Sequence, residues 1–468
     1  MSRSRTGSGE LLVEIQRSGA VPLHQQLEAG IRARIREGLL RADAVLPSTR
    51  ALANDLGLSR GVVVEAYQQL VAEGYLVSRT GGYTQVAPTA ARTSGQTRTN
   101  QQPTGPPRID FKYSRPDVSQ FPRAAWLRSV RRVLNEIPHS TLSYLSGQGS
   151  PELREALADY LNRVRGTSAR PENLLICHGF AQGSRLLLQV LVAAGYRKLA
   201  LEDPSDYELR DIARAAGLEV VGVPVLDSGI DVEALDRSGA DLVLVTAAHQ
   251  MPIGAVASPA TRAALVEWAV RRNALIIEDD YDAEYRYDRE PIGAVQGLAP
   301  DRVVYAGTAS KTLAPGLRLG WLILPDALVE PLAAAKLADD RGSSVLDQLT
   351  FADFVSHGEF DRHLRRMRPR YRNLRDLLVT QLADRLPDFE PVGVSAGLHI
   401  LVWLPPDLPA ETVATAARER DVGVHPLTPY WFTPPGPPGL VFGYGSLTEK
   451  AVAEGIDLLA DAVGTLRP

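Results

Sequence analysis

Residues 89–108 read TAARTSGQTRTNQQPTGPPR, a stretch of Thr, Ser, Gln, Gly, Pro and Arg with almost nothing that could enter a core. Such a composition makes a flexible, partly extended linker. No single fold can span it. The chain is therefore expected to divide into a small module, residues 1–88, and a large one, residues 109–468.

The rest of the composition narrows the classes. Hydrophobic residues make up 44% and charged residues 23% of 468 positions, ordinary values for a globular protein. No apolar run reaches the roughly 18 residues of a membrane span, and MSRSRTGSGELLVEIQRSGA lacks the apolar core of a secretion signal. Cys177 is the only cysteine, which excludes an intrachain disulfide and fits a reducing, cytoplasmic setting. With a net charge of −4, nucleic-acid contact has to come from a local surface.

In the small module, HQQLEAGIRARIREG puts Leu27, Ile31 and Ile35 on one helical face. LPSTRALANDLG follows, with Ser48 as a natural N-cap, Leu52 and Leu56 facing inward, and Gly57 to close the helix. Ser59 can cap SRGVVVEAYQQLVAEG, whose Val63, Tyr67 and Leu70 form an apolar stripe. Two short helices joined by a Gly-containing turn are a helix-turn-helix pattern. YLVSRTGGYTQVAP then alternates as a hairpin that turns at Gly81-Gly82.

PLHQQL, LPSTRALANDLGLSR and LVAEGYLVSRTGGYTQV resemble the GntR-type winged helix over about residues 20–87. The resemblance implies operator DNA as partner. It places Ser59, Arg60 and Gly61 at the major groove, Arg50 and the adjoining Ser48 turn at a phosphate or base edge, and Arg79 at the minor groove. Arginine suits those contacts because its planar fork pairs with guanine edges and phosphate oxygens.

The large module alternates apolar runs (NLLICHG, KLALED, DLVLVTA, ALIIEDD, RVVYAG, RLGWLIL) with amphipathic stretches, which implies a largely parallel α/β sheet. Its sharpest signal is YAGTASKTLAPGLRLGW, residues 305–321, where a strand ends and a Thr/Ser-rich turn presents Lys311. An aldehyde cofactor held as an imine needs one lysine in a pocket, with hydroxyls and a cation for its phosphate. Thr308, Ser310 and Arg318 are placed for that. In ALIIEDDYDAEYRYD, residues 274–288, a buried strand runs into three acids and a tyrosine. A carboxylate there can hold a pyridinium nitrogen.

These segments resemble the fold-type I pyridoxal-phosphate enzymes of the class I aminotransferase branch, over about residues 109–465. The resemblance implies pyridoxal phosphate as cofactor. It makes Lys311 the Schiff-base lysine, Asp279 the pyridine-nitrogen partner, Tyr281 the phenol at the ring hydroxyl and Arg318 the phosphate arginine. CHGFAQGS matches the phosphate turn, with Phe180, Ala181 and Gln182 at a helix start. Tyr144 matches a tyrosine that reaches the neighbouring subunit's phosphate, which implies a homodimer. In HQMPIG, His249 or Gln250 stands in for an asparagine near the ring oxygen.

A winged helix, a linker and an aminotransferase-like domain is the layout of the MocR-type regulators, which EDDYDAEYRY, HLRRMRPRYR and FPRAAWLRSVRRVL also resemble. Two positions depart from an enzyme. Val441, in GLVFGYGSL, occupies the place of the arginine that binds a substrate carboxylate, and valine cannot make that salt bridge. In EDPSDYELR, Asp206 stands where a cofactor-stacking tyrosine is usual, so either the turn is shifted and Tyr207 stacks, or stacking is lost. The expected function is a sensor, not an enzyme: a regulator responsive to pyridoxal phosphate that controls vitamin B6 synthesis genes. The alternatives are a regulator sensing another amine, dipeptide or amino acid, and a working aminotransferase with an added DNA-binding domain.

Overall fold

The computed structural model describes residues 13, 15–17, 21–79, 83–88, 105–113, 115–282, 284–287, 292–393, 395–432 and 436–467. The expected hairpin tip at Gly81-Gly82 and residues 89–104 of the linker lie outside them. The chain forms two compact units, Met1–Thr104 and Gly105–Pro468.

The small unit holds helices α1 (Leu23–Arg36), α2 (Thr49–Leu56) and α3 (Arg60–Ala72) and strands β1 (Leu76–Arg79) and β2 (Tyr83–Val86). Capping sets the helix starts. Ser48 Oγ accepts from the Ala51 amide at 3.2 Å and Ser59 Oγ from the Val62 amide at 3.4 Å. Gly57 ends α2 with φ +61°, a left-handed conformation that disfavours any side chain. Leu27, Ile31, Ile35, Val63 and Leu70 are fully buried in one core. Each such side chain stabilises the unit by about 1.5–3 kcal/mol on the area scale. The two strands pair antiparallel from Leu76↔Val86 to Arg79↔Tyr83, forming the expected wing.

The large unit begins at Gly105, not after residue 108 as composition suggested. Arg108 already belongs to it: its amide donates to Asp421 at 3.1 Å and its guanidinium pairs with Glu454 at 2.7 Å. The main sheet runs in the order Leu174–Cys177, Gly320–Ile323, Val303–Thr308, Leu275–Asp280, Leu242–Val245, Lys198–Asp203, Glu219–Leu226, Gly229–Ile230. Its centre is parallel, as expected. The strand within RLGWLIL, Gly320–Ile323, runs antiparallel to both neighbours. It follows Thr308 by way of a short turn, which leaves no length for a crossover helix. Nearer the C-terminus a four-stranded antiparallel sheet forms from Glu390–Val392, His399–Trp403, Gly439–Gly443 and His425–Pro426. Among the described residues no helix is long and apolar enough to cross a membrane.

Candidate functional site

Parallel strands expose their carboxyl ends together, and ligands of open α/β sheets bind there. Here Asp203, Asp280 and Thr308 end three such strands. Beyond them lies a cavity of about 330 Å³ lined by Lys311, Asp279, Tyr281, Thr308, Ser310, Arg318, Phe180 and Ala181, which the sequence singled out. Glu202, Ser205, Asp206, Glu208, Met251 and Tyr113 also line it.

One end of the cavity is built from a turn and a helix start. Gly179 has φ +78° and leads into helix Phe180–Ala193, so the first amides of that helix face the cavity end. A methyl group added at Gly179 would stand 3.4 Å from both terminal nitrogens of Arg318. Arg318 itself takes φ +52° after the turn Pro315–Leu317, and its Nη2 donates to the His178 carbonyl at 2.6 Å. Thr308 Oγ1 donates to Ser310 Oγ at 2.9 Å, so the two hydroxyls stand together.

Burial dominates the electrostatics of the opposite end. Burial pushes the Lys311 ammonium down from its usual range, and the Asp279, Asp282 and Asp206 carboxylates oppose that shift. Burial pushes Asp279 well up, reinforced by Asp280 and Asp206 and opposed by Lys311. Glu202, fully buried, is pushed up to about 7 although its carboxylate accepts from the Thr246 hydroxyl at 2.7 Å. Asp280 turns away from the cavity. It pairs with Arg165 Nε at 2.7 Å, both side chains nearly inaccessible, and accepts from the Tyr305 hydroxyl at 2.8 Å.

Several expected contacts are placed differently. His249 does not line the cavity. It lies behind Tyr281, whose hydroxyl donates to the His249 carbonyl at 3.0 Å, and its Nδ1 is 3.0 Å from Asp282 Oδ2. Gln250 is committed to Glu202 and to the Pro204 and Met251 carbonyls. Met251 occupies the wall instead. Gln182 also leaves the site: its amide donates to Asp339 at 2.8 Å and Asp340 at 2.9 Å. Tyr207 does not cover the cavity either. As first residue of helix Tyr207–Ala215 it stands edge-on to Tyr430 and is 37% exposed, while the N-cap Asp206 lines the wall. Tyr144 is 87% exposed and does not line this cavity. Val441 is buried in an apolar cluster with Met251, Leu401, Leu427 and Tyr430.

In the small unit Arg50, Ser59, Arg60 and Gly61 are all exposed, at the start of α2 and α3, as a groove-reading face requires. Ser48 is exposed too, with its Oγ used in capping. The Arg79 backbone lies in β1; its side chain is outside the described residues.

Glu202 and Ser205 went unnoticed in sequence, and Asp206 was read only as standing in the place of a stacking tyrosine. A signal was there: KLALEDPSD repeats the pattern of ALIIEDD, an apolar strand that stops on acids.

A winged helix joined to an aminotransferase-fold domain defines a transcription regulator with an aminotransferase-like domain. Residues 23–86 match the bacterial regulatory proteins of the gntR family, and residues 114–436 match aminotransferase class I and II. The chain is 34% identical to the probable rhizopine catabolism regulatory protein MocR of Rhizobium meliloti, over 96% of both chains. It is 32% identical to the HTH-type pyridoxine biosynthesis transcriptional regulator PdxR of Corynebacterium glutamicum, over 94% of this chain and 95% of that one. An archaeal alanine:glyoxylate aminotransferase superposes with a TM-score of 0.70 at 27% identity, covering 76% of this chain and 91% of its own. The chain belongs to the MocR-type branch of the GntR-family regulators.

Proposed function

We propose that this regulator binds pyridoxal phosphate in the Lys311 cavity and answers the cofactor by changing how it binds operator DNA, so that it controls vitamin B6 synthesis genes. The observation that carries the reading is the convergence of Lys311, Asp279 and Arg318 on one cavity. When bound, the cofactor supplies an aldehyde that a lysine amine holds covalently, and with it a visible chromophore. The chain's own groups fit each part of it. The amides of Phe180 and Ala181, the Arg318 guanidinium and the paired Thr308–Ser310 hydroxyls bind a phosphate dianion. Desolvated Lys311 offers a larger fraction of neutral amine than a surface lysine does. Asp279 orients a ring nitrogen, and its ionisation becomes favourable once a cation faces it. Tyr281, held by His249, is fixed for a hydrogen bond to the ring hydroxyl.

The cofactor suffices as the signal, and no carboxylate ligand is needed with it. Val441 lies where a carboxylate-binding arginine is expected, and its neighbours are apolar. The pyridoxine-regulator relative supports the B6 assignment. Exposed Tyr144 suits a homodimer in which it completes the partner's site, and the domain acts as a sensor in the cytoplasm, not as a catalyst. The test is spectroscopic. Full-length protein mixed with pyridoxal phosphate should gain a visible band that Lys311→Ala abolishes. An unchanged band in the variant overturns the lysine assignment, and sustained transamination turnover overturns the sensor role.

A further inference from the structure

Under the cofactor reading just given, on which this inference rests, Lys311 and Arg318 are both engaged. They are the only basic side chains among the described residues that line the cavity. What remains at its mouth is acidic. Asp206 and Glu208 line the wall, and Asp206 is near enough to Lys311 to oppose the loss of its charge. The arginine on the same helix, Arg210, is not free to help. It donates to the Tyr430 carbonyl at 2.9 Å and the Trp431 carbonyl at 3.1 Å, and its guanidinium lies 4.0 Å over the Phe432 ring. Ser205 lines the same wall, over nine-tenths buried, and its Oγ has no hydrogen-bond partner. An unsatisfied buried hydroxyl is costly, and a ligand atom at this wall would satisfy it. Tyr113, also in the wall, packs edge-on against Tyr430 at 5.9 Å. A carboxylate ligand entering here meets two carboxylates and no uncommitted guanidinium. An ammonium meets two acids, an open hydroxyl and an aromatic face.

We propose that the mouth of the Lys311 cavity is a subsite for an aliphatic amine that carries no carboxylate, bound beside the cofactor. Asp206 supplies the counter-charge, Ser205 Oγ accepts an N–H, and Tyr113 with Met251 contacts the alkyl chain. The pocket thereby admits amines and rejects the amino acids of the same skeleton.

The test compares cadaverine with lysine, which differ by one carboxylate and share the primary amines, so condensation with the aldehyde is common to both. Calorimetric titrations use full-length protein loaded with pyridoxal phosphate and freed of excess, and cofactor-free protein in parallel. Cadaverine is expected to bind about tenfold or more tighter than lysine. Asp206→Asn keeps an acceptor for the Glu208 amide, which Asp206 now caps at 2.9 Å, and removes only the charge. It should erase the preference, and Asp206→Glu should restore it. Lysine binding as tightly as cadaverine, or a preference untouched by Asp206→Asn, overturns the subsite. Failure of the cofactor reading looks different: no visible band forms in the wild type. The cofactor-free titration then decides the subsite by the same preference.

Discussion

Tyr281 donates its hydroxyl hydrogen to the His249 carbonyl at 3.0 Å, and the His249 ring is held by Asp282 through a 3.0 Å contact at Nδ1. The histidine expected to face the cofactor thus holds a tyrosine that lines the cavity. His249 and Asp282 are both buried, so each is the other's means of tolerating burial. His249→Ala should leave a buried carboxylate without its partner and destabilise the large domain by about 3–5 kcal/mol. Tyr281→Phe, which removes one hydrogen bond, should cost about 1 kcal/mol. Denaturant midpoints of the two variants check the order, and equal losses contradict it.

Glu202 gives a pH signature. Burial raises its folded pKa to about 7 from an ordinary 4.5. The folded state therefore binds the proton more tightly than the unfolded state. Its contribution is fully present below the unfolded value and is lost as pH climbs through the folded one. Glu202→Gln keeps an acceptor for Thr246 and cannot ionise. Relative to this variant, the cofactor-free wild type should lose about 3 kcal/mol of stability between pH 4.5 and 7, and little beyond. Parallel unfolding curves across that window should diverge, and a constant difference contradicts the assignment.

How much of this was legible in the sequence depended on range. Ser48 and Ser59 announced their helices because a cap is a contact between residues three apart. Lys311, Thr308, Ser310 and Arg318 were legible because one strand and one turn carry them all. Gln182 and His249 were misplaced because their side chains are claimed by residues far along the chain, Asp339 and Asp340 in one case and Asp282 in the other. Tyr207 was misplaced because Asp206 caps the helix, which sets the turn so that the acid, not the ring, faces inward. The antiparallel strand Gly320–Ile323 reads like its parallel neighbours, since burial on both faces hides direction.

Arg50 and Arg60 are exposed at two helix starts, where a groove-reading face would place them. Replacing Arg60, or Arg50, by alanine should cost roughly 1–3 kcal/mol of operator binding and relax specificity at one base position. Fluorescence anisotropy with an operator library reads both effects. Wild-type affinity in both variants contradicts the groove-reading face.

Dimerisation should govern cofactor affinity. Tyr144 projects from its own chain, and its expected role is in the other protomer's site. Sedimentation should show a dimer, and dilution below its dissociation constant should weaken pyridoxal phosphate binding. Tyr144→Ala should weaken binding without dissociating the dimer. A stable monomer with full cofactor affinity contradicts this arrangement.

The central claim is that the cofactor, bound in one domain, changes DNA binding by the other. A ligand shifts such an equilibrium only by its differential affinity for the two states, and the coupling is reciprocal. The most direct measurement is operator affinity of the full-length protein, cofactor-free and saturated with pyridoxal phosphate, at fixed salt. The account predicts a change of about five- to 150-fold on adding the cofactor alone, with Lys311→Ala unresponsive. Identical operator affinity in the two states, or a change that appears only when an amino acid accompanies the cofactor, contradicts it.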